Sequence, residues 1–368
     1  MGIVEQIAEV KAEMARTQKN KATEHHLGRL KAKLARLESQ LIAEAAKGSG
    51  GKGVGFDVCK QGSSRIALIG FPSVGKSSFL SRYTTSESAS AAYEFTTLTC
   101  VPGIMELHGA AIQVLDLPGI IEGAATGLGK GRQVIATART ADLVLMMLDA
   151  CRAERERVLL TRELETMGIR LNKERPDIEI IKCEQGGIKF SSTLPLTHLD
   201  AATIKATLVE YKIHNCNVLF RCDATIDDFI DSIEGNRVYM PCIFVINKID
   251  MISIPAAEHY ALLPYTAIIS VEQDLNVEYL KALIWKHLRL VRVYTRKRGE
   301  PADLDPQDAI FMKDGDTVYA LCGHIHKELQ EKFSYALVWG RSVQHCPQRV
   351  GRDHRLADED VVQIITRR

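Results

Sequence analysis

The sequence predicts an α/β fold built on a mostly parallel sheet, and two observations carry that prediction. Short apolar runs at 65–69, 112–116, 143–149 and 242–246 alternate with helical stretches, the pattern of strands buried on both faces. Between the first run and the next helical stretch lies Gly70-Phe-Pro-Ser-Val-Gly-Lys-Ser77, a glycine-bearing turn in a strand–turn–helix setting. With 368 residues, 46% of them hydrophobic, the chain can bury a sizeable core and is long enough for two or three units.

The elements follow in order. Residues 3–46 read as helix: Ile3, Ile7, Val10 and Met14 recur at three- and four-residue steps, and Leu27, Leu30, Leu34, Leu37 and Leu41 repeat the seam. The polar residues 17–26 between the seams fit the turn of an antiparallel hairpin, with one continuous helix as the alternative. Lys11, Arg16, Lys19, Lys21, Arg29, Lys31, Lys33 and Arg36 face only Glu13 and Glu24, which gives this element a basic face. Glycine is too dense at 47–55 for a helix, so a linker is expected there. From 64 to about 290 the pattern is β/α. Residues 149–241 hold more chain than one crossover needs, with strand-like 178–183, 188–192 and 217–221 and helical 199–210 and 225–234. This reads as a small α/β subdomain inserted into the main sheet. After Trp285 a helix ends in a basic stretch (Lys286, Arg289, Arg292, Arg296, Lys297, Arg298), and a break at 299–306 opens a compact C-terminal unit.

Composition bounds the setting. A formal net charge of +1 argues neither for nor against a nucleic-acid partner. Nine scattered cysteines with no C-x-x-C pair fit a reducing compartment. No run of about 18 apolar residues occurs, and 1–14 carries Glu5, Glu9 and Glu13 in place of a signal-type apolar core. A soluble, cytoplasmic protein with no membrane partner is expected.

Five short motifs carry chemistry. In Gly70-Phe-Pro-Ser-Val-Gly-Lys-Ser77, backbone N–H groups around Gly75 at a helix N-terminus suit α- and β-phosphates. Lys76 suits the β/γ oxygens, and the Ser77 hydroxyl suits Mg²⁺. The predicted phosphate-binding set is Gly70, Phe71, Pro72, Ser73, Val74, Gly75, Lys76, Ser77 and Ser78. Asp116-Leu-Pro-Gly119 ends the strand Ala111–Leu115. There Asp116 can hold Mg²⁺ through water, and the Gly119 amide can sense a γ-phosphate. D-x-x-G alone is weak, but one crossover downstream of a phosphate loop it is strong. In Tyr93-Glu-Phe-Thr-Thr-Leu98, Phe95 and Thr96 are placed against the nucleotide. Thr97, favoured over Thr96, closes the Mg²⁺ shell only when γ-phosphate is present. In Asn247-Lys-Ile-Asp250, Asp250 can accept from the ring N1–H and exocyclic amino group of guanine, a donor pair adenine lacks. Asn247 can bridge the base pocket to the phosphate loop, and the Lys248 stem can cover the base. Ser270-Val271 sits where a last base-contacting loop is expected. The ligand named by this order is GTP, with Lys76, Thr97 and Gly119 as the catalytic set and Ser77, Thr97 and Asp116 as the Mg²⁺ set.

These motifs, with Gly168-Ile-Arg-Leu-Asn172 and Tyr335-Ala-Leu-Val-Trp-Gly340, give the chain a resemblance to the developmentally regulated GTP-binding proteins. That family lies in the Obg–HflX group of translation-factor-related GTPases, and the resemblance is to the second of its two eukaryotic branches. It covers essentially the whole chain. It implies a helix-turn-helix hairpin and glycine-rich linker at 1–60 and a P-loop GTPase domain at 61–169 and 241–290. An inserted S5D2-like subdomain at 170–240 and a β-grasp TGS domain at 291–368 complete the implied organisation. It also implies a cytoplasmic role with ribosomes and ribosomal RNA, and a stabilising partner protein of the DFRP type. Two departures matter. Ile120 stands where Ras-like proteins place a water-orienting glutamine, so that task must fall to backbone, an ion or a partner. Ser73 stands where potassium-stimulated relatives often carry Asn, which leaves K⁺ an open second ion.

Other features have plainer readings. His214, Cys216 and Cys222 match no common zinc spacing. His324 and His326 are expected on one C-terminal helix as surface or packing residues, and Glu122 as a solvated loop residue. Residues 286–298 fit a solvated helix end or an RNA-phosphate contact. Three functions compete: a GTP-hydrolysing switch on ribosomes, a scaffold holding nucleotide for structure, and an ATPase. The presence of Lys76, Ser77 and Thr97 argues against the second, and Asp250 against the third.

Overall fold

Ile66, Ala67, Leu68 and Ile69 are each fully shielded from water, so a continuous apolar run folds as a strand covered on both faces. The computed structural model describes residues 3–18, 20, 23–47, 62–85, 102–117, 138–297, 299, 301, 304–305 and 308–366. The chain forms two units, Met1–Asp57 with Gly168–Tyr239, and Val58–Met167 with Met240–Arg368.

In the second unit the run 64–70 is β1 (Ser64–Gly70), with β3 (Ala110–Asp116) and β4 (Leu143–Asp149) as parallel neighbours. β10 (Cys242–Asn247) and β11 (Thr266–Ile268) extend the sheet in parallel, and β2 (Pro102–Leu107) closes the other edge antiparallel. The order is β11-β10-β4-β1-β3-β2. α3 (Lys76–Tyr83) follows β1, α4 (Ala153–Thr166) follows β4, and α7 (Ile254–Ala261) lies between β10 and β11. The helix that closes this sheet, α8 (Val277–Leu288), buries Leu280, Ile284 and Leu288 in the same core as Leu145 and Val245.

Only the start of the basic stretch after Trp285 is a helix end: Lys286 lies in the last turn of α8 and Arg289 at its C-cap, whereas Arg292 lies in a strand. α8 stops at Leu288, Arg289 turns with φ 49°, and the chain enters β12 (Leu290–Thr295) at once. β12 belongs to a five-stranded sheet with β13 (Ile310–Lys313), β14 (Phe333–Trp339), β15 (Gln348–Val350) and β16 (Asp360–Thr366), ordered β13-β12-β16-β14-β15. Helix α9 (Val318–Ile325) packs Val318, Leu321 and Cys322 against Val293, Ala336, Val338 and Val362, which makes a β-grasp unit. Its cations are partly engaged: Arg292 pairs with Asp358 (2.8 Å) and Glu359 (3.0 Å), and Arg296 stacks on Trp339. His324 lies in α9. His326 instead caps the next helix, α10 (Lys327–Glu331), accepting from the Glu328 N–H (3.2 Å), so the two do not share a helix.

The first unit begins with α1 (Ile3–Arg16) and α2 (Glu24–Lys47), so the hairpin forms and the continuous helix does not. The turn is shorter than 17–26 because Glu24 is already helical. Thr23 closes it by accepting from the Asn20 N–H at 2.9 Å. Val10, Leu30 and Leu37 are the buried seam. The linker expected at 47–55 lies beyond Lys47 outside the described residues. The insert is a three-stranded sheet of β6 (Ile178–Lys182), β8 (Cys216–Phe220) and β7 (Ile188–Ser192), in that order. α5 (Ala201–Glu210) and α6 (Ile226–Glu234) share its core through Ile204, Leu208, Phe220 and Phe229. β5 (Ile169–Leu171) pairs with β9 (Val238–Met240), so the insert leaves and returns at one place.

α2 lies against α5 and α6. Gly28 allows the approach, since a Cβ there would come within 2.6 Å of Ile226 Cδ1. The basic face expected on the hairpin is therefore only partly available. Lys31 pairs with Asp227 (2.7 Å), and Arg36 donates to the Glu210 carbonyl (2.6 Å) and carboxylate (3.3 Å). Beneath them runs a buried ion network. Asp231 accepts from Arg170 Nε (2.6 Å) and Nη2 (2.9 Å) and from Arg237 Nε (3.2 Å). Glu234 takes Arg237 (3.1 Å), the Tyr211 hydroxyl (2.9 Å) and the Ser39 hydroxyl of α2 (2.6 Å). Removing one member leaves the others charged in a low dielectric. Asp231→Ala is expected to lower the stability of this unit by about 3 kcal/mol, read as an earlier urea transition in full-length protein.

Candidate functional site

The carboxyl ends of β1, β3, β4 and β10 come together at one edge of the sheet, because Leu68 stands level with Asp116 and Asn247 with Asp149. β1 has its neighbours on opposite sides, and the chain leaves it into the crevice that such a sheet opens. There the turn 71–75 passes through Ser73 (φ 65°) and Gly75 (φ 96°). Glycine is required at 75 on two counts. The left-handed backbone disfavours a side chain, and a Cβ would collide with Asn247 Nδ2. No side chain caps the start of α3, so its first amides point into the crevice without a partner from the cap position. Phe71 is half-buried, Pro72 and Ser73 are exposed and Val74 is buried, while Ser77 and Ser78 expose their hydroxyls on the first turn of α3.

Two opposite charges face this turn. Lys76 Nζ donates to the carbonyls of Gly70 (2.7 Å) and Phe71 (2.8 Å), and burial pushes its ammonium below the ordinary range against the pull of Asp116 and Glu156. At Asp116 burial raises the carboxyl, with Lys76 pulling the other way. Its Oδ1 is buried with no hydrogen-bond partner among the described residues. In both groups burial outweighs the attraction of the neighbours. The crevice is thus short of negative charge beside Lys76 and of positive charge beside Asp116, the complement of a phosphate with a cation.

The second half of the site is held by Asn247. Its Nδ2 donates to the Val74 carbonyl (2.8 Å) and its Oδ1 accepts from the Val271 N–H (3.0 Å), so one buried amide joins the turn after β1 to the loop after β11. Lys248 follows with φ 66° and pairs with Asp149 (2.8 Å). Asp250 is exposed and accepts from the Ser270 hydroxyl (2.6 Å).

The structure thus gathers Gly70 to Ser78, Asp116, Asn247, Lys248, Asp250, Ser270 and Val271 at one edge. Phe95, Thr96, Thr97, Gly119, Ile120 and Glu122 lie outside the described residues. Three contributors were missed in the sequence. Arg82, at the end of α3, donates to the carbonyls of Val271 (2.7 Å) and Glu272 (3.0 Å), while Tyr83 bonds Asp274, so the helix after the phosphate turn also grips the last loop. Asp149 was legible in principle, because it ends an apolar run as Asp116 does. Among the described residues no group of three or more His, Cys, Asp or Glu side chains is arranged to hold a metal, and Cys216 is a buried core thiol. No described helix is long and apolar enough to cross a membrane.

Comparison with known proteins agrees along the whole length. The family described as 50S ribosome-binding GTPase matches residues 65–182, the model for the C-terminal region of that domain matches 185–290, and the TGS domain matches 291–366. Developmentally-regulated GTP-binding protein 2 of Homo sapiens is 54% identical over 99% of this chain and 100% of its own length. Developmentally-regulated G-protein 1 of Arabidopsis thaliana is 52% identical over 100% of this chain and 92% of that one. A solved GTP binding protein from Pyrococcus horikoshii is 15% identical, covers 82% of this chain and 99% of that chain, and has a TM-score of 0.44.

The raised carboxyl of Asp116 has a consequence for stability. A carboxylate whose folded pKa lies above its unfolded value holds its proton more tightly when folded, so stability falls as pH rises through that window. Asp116→Asn is expected to raise the melting temperature of the nucleotide-free protein at pH 7 and to lose that advantage at pH values where wild-type Asp116 is protonated. Differential scanning calorimetry across pH measures both.

Proposed function

The chain belongs to the developmentally regulated GTP-binding protein family and is a GTPase, and we propose that it is a Mg²⁺-dependent switch that associates with ribosomes. The observation that carries this reading is the Asn247 amide. It ties the anion-binding turn to the loop beside Asp250, so that phosphates and base are recognised by one connected frame.

In this reading the amides of 73–78 and Lys76 take the phosphates, and Asp250 and Ser270 read the base. Lys76 leaves the Gly70 and Phe71 carbonyls, or shares them, when the β/γ oxygens offer it a stronger acceptor. The buried Oδ1 of Asp116, without a partner among the described residues, and the hydroxyl of the exposed Ser77 fit Mg²⁺, with Thr97 added when γ-phosphate is present. When bound, that ion neutralises charge on the β and γ oxygens. The amide of Gly119 senses the γ-phosphate. Position 120 is Ile, which has no polar atom to orient water, so faster turnover needs a group from outside these motifs: K⁺ near Ser73, or a bound partner.

Association with ribosomes is supported by the match to the 50S ribosome-binding GTPase family, and a TGS unit and a basic hairpin suit an RNA-rich surface. A DFRP-type partner and a cytoplasmic location belong to the same proposal. The cations that suit it are those without an ion pair among the described residues. On the hairpin these include Arg29 and Lys33, and on the C-terminal sheet and its flank Arg349 and Lys297, all exposed.

Two outcomes test this. Asp250→Asn should weaken GTP and favour xanthosine triphosphate, whose ring carries an acceptor where guanine carries the amino group; unchanged GTP affinity removes Asp250 from base reading. For the ribosome role, Arg29→Glu with Lys33→Glu, and separately Lys297→Glu with Arg349→Glu, should lower co-sedimentation with ribosomes while leaving GTP binding intact. The deficit relative to wild type should shrink as salt rises, because the wild-type phosphate contacts weaken steeply with salt and the variants have fewer of them. Co-sedimentation indifferent to both pairs of changes would leave the contact elsewhere.

A further inference from the structure

Asp149 is absent from the motifs, yet its carboxylate is among the most constrained groups at the site. Its Oδ1 accepts from the Cys151 N–H (3.0 Å), and its own N–H donates to Glu156 Oε2 (3.1 Å), a carboxylate 8% exposed. Its carbonyl accepts from the Arg152 N–H (2.9 Å), and the next residue, Ala150, donates to the Asn247 carbonyl (3.0 Å). With Oδ1 and the backbone fixed, Oδ2 has one direction left, and Lys248 Nζ lies 2.8 Å along it.

Lys248 is therefore held at both ends. Its backbone sits in a left-handed turn between Asn247, which bonds the phosphate turn and the last loop, and Ile249 and Asp250, which begin the next turn of 3-10 helix. Its ammonium is anchored on Asp149. A free lysine stem samples many rotamers and presents no lasting surface. Tethered at the tip, the same four carbons become a fixed apolar wall beside Asp250.

We propose that Asp149 is a positioning residue for nucleotide binding, which holds the Lys248 stem as the wall against which a purine stacks. The proposal rests on the reading of 247–250 as the base site. Burial would raise the Asp149 carboxyl, but the hydrogen bonds from Lys248 and the Cys151 N–H, with the charges of Lys248 and Arg152, together outweigh it and hold the group below the ordinary carboxylate range, so the tether persists at physiological pH. A wall of methylenes does not distinguish one purine from another. Asp149 then sets how tightly the base is held, and Asp250 sets which base is held.

That separation supplies the test. In full-length protein, dissociation constants for GDP, IDP and inorganic pyrophosphate are measured by displacement of a fluorescent guanine nucleotide. Asp149→Asn is expected to weaken GDP and IDP together by about threefold to tenfold, with their ratio unchanged and pyrophosphate unaffected. Asp149→Glu, which keeps the charge, should recover most of the loss. Lys248→Met, which keeps an apolar stem but loses the tether, should resemble Asp149→Asn. Wild-type GDP and IDP affinities in Asp149→Asn would overturn the proposal, as would pyrophosphate binding that fell in step with GDP, since the damage would then lie in the phosphate turn. Asp250→Asn is the control for the premise. If it leaves the GDP-to-IDP ratio where it was, the base-site reading fails, whatever Asp149 does.

Discussion

The proposed nucleotide site depends on one side-chain amide. Asn247 is 3% exposed, and its two polar atoms are satisfied by the Val74 carbonyl and the Val271 N–H, which belong to loops following different strands. An asparagine in this position must satisfy both atoms or leave a buried group unpaired, so it pulls the two loops to a fixed spacing. Everything else at the edge is arranged around that spacing. Gly75 has no side chain because Asn247 Nδ2 lies where a Cβ would go. Arg82 and Tyr83 grip the same loop from the far end of α3, which makes the turn 71–75, its helix and the loop after β11 one mechanical piece.

Much of this was readable in the linear sequence, for a physical reason. Strands buried on both faces must be apolar throughout, so β1, β4 and β10 announced themselves, and a loop at the end of such a strand has its address given by the sheet. The elements that escaped are short or lie at edges: β2 borders solvent, and β5 and β9 have three residues each. Leu290, Val291 and Val293 did carry a strand's signal, but Arg289 and Arg292 made the stretch look like a charged helix end. Arg82 offered no signal, because its partners lie 189 and 190 residues away and a surface arginine is ordinary in itself.

The hairpin shows how far a charge count can mislead. Eight cations opposed by two carboxylates look like a surface waiting for an anion. Yet Asp227 and Glu210, nearly two hundred residues on, meet Lys31 and Arg36, and Ser39 reaches the buried Glu234. Part of the positive charge is structural glue between the first helices and the insert. Which cations are free to act depends on what folding places opposite them, and composition does not encode that.

The junction at Arg289 has a mechanical meaning. A single residue separates α8, whose inner face lies in the core of the main sheet, from β12, second strand of the C-terminal sheet. Asp314 N–H closes on the Arg289 carbonyl (2.8 Å), Trp285 of α8 meets Phe311 edge-on, and Lys313 reaches Asp142 (2.6 Å). A tether of many residues would let the C-terminal sheet tumble on its own. One residue stiffened in this way gives it no separate rotational freedom, so the sheet is coupled to α8 as a lever arm is to its axle. A tilt of α8 by a few degrees becomes a displacement that grows with distance along the sheet, and force applied at its outer strand returns to the helix under the base loop.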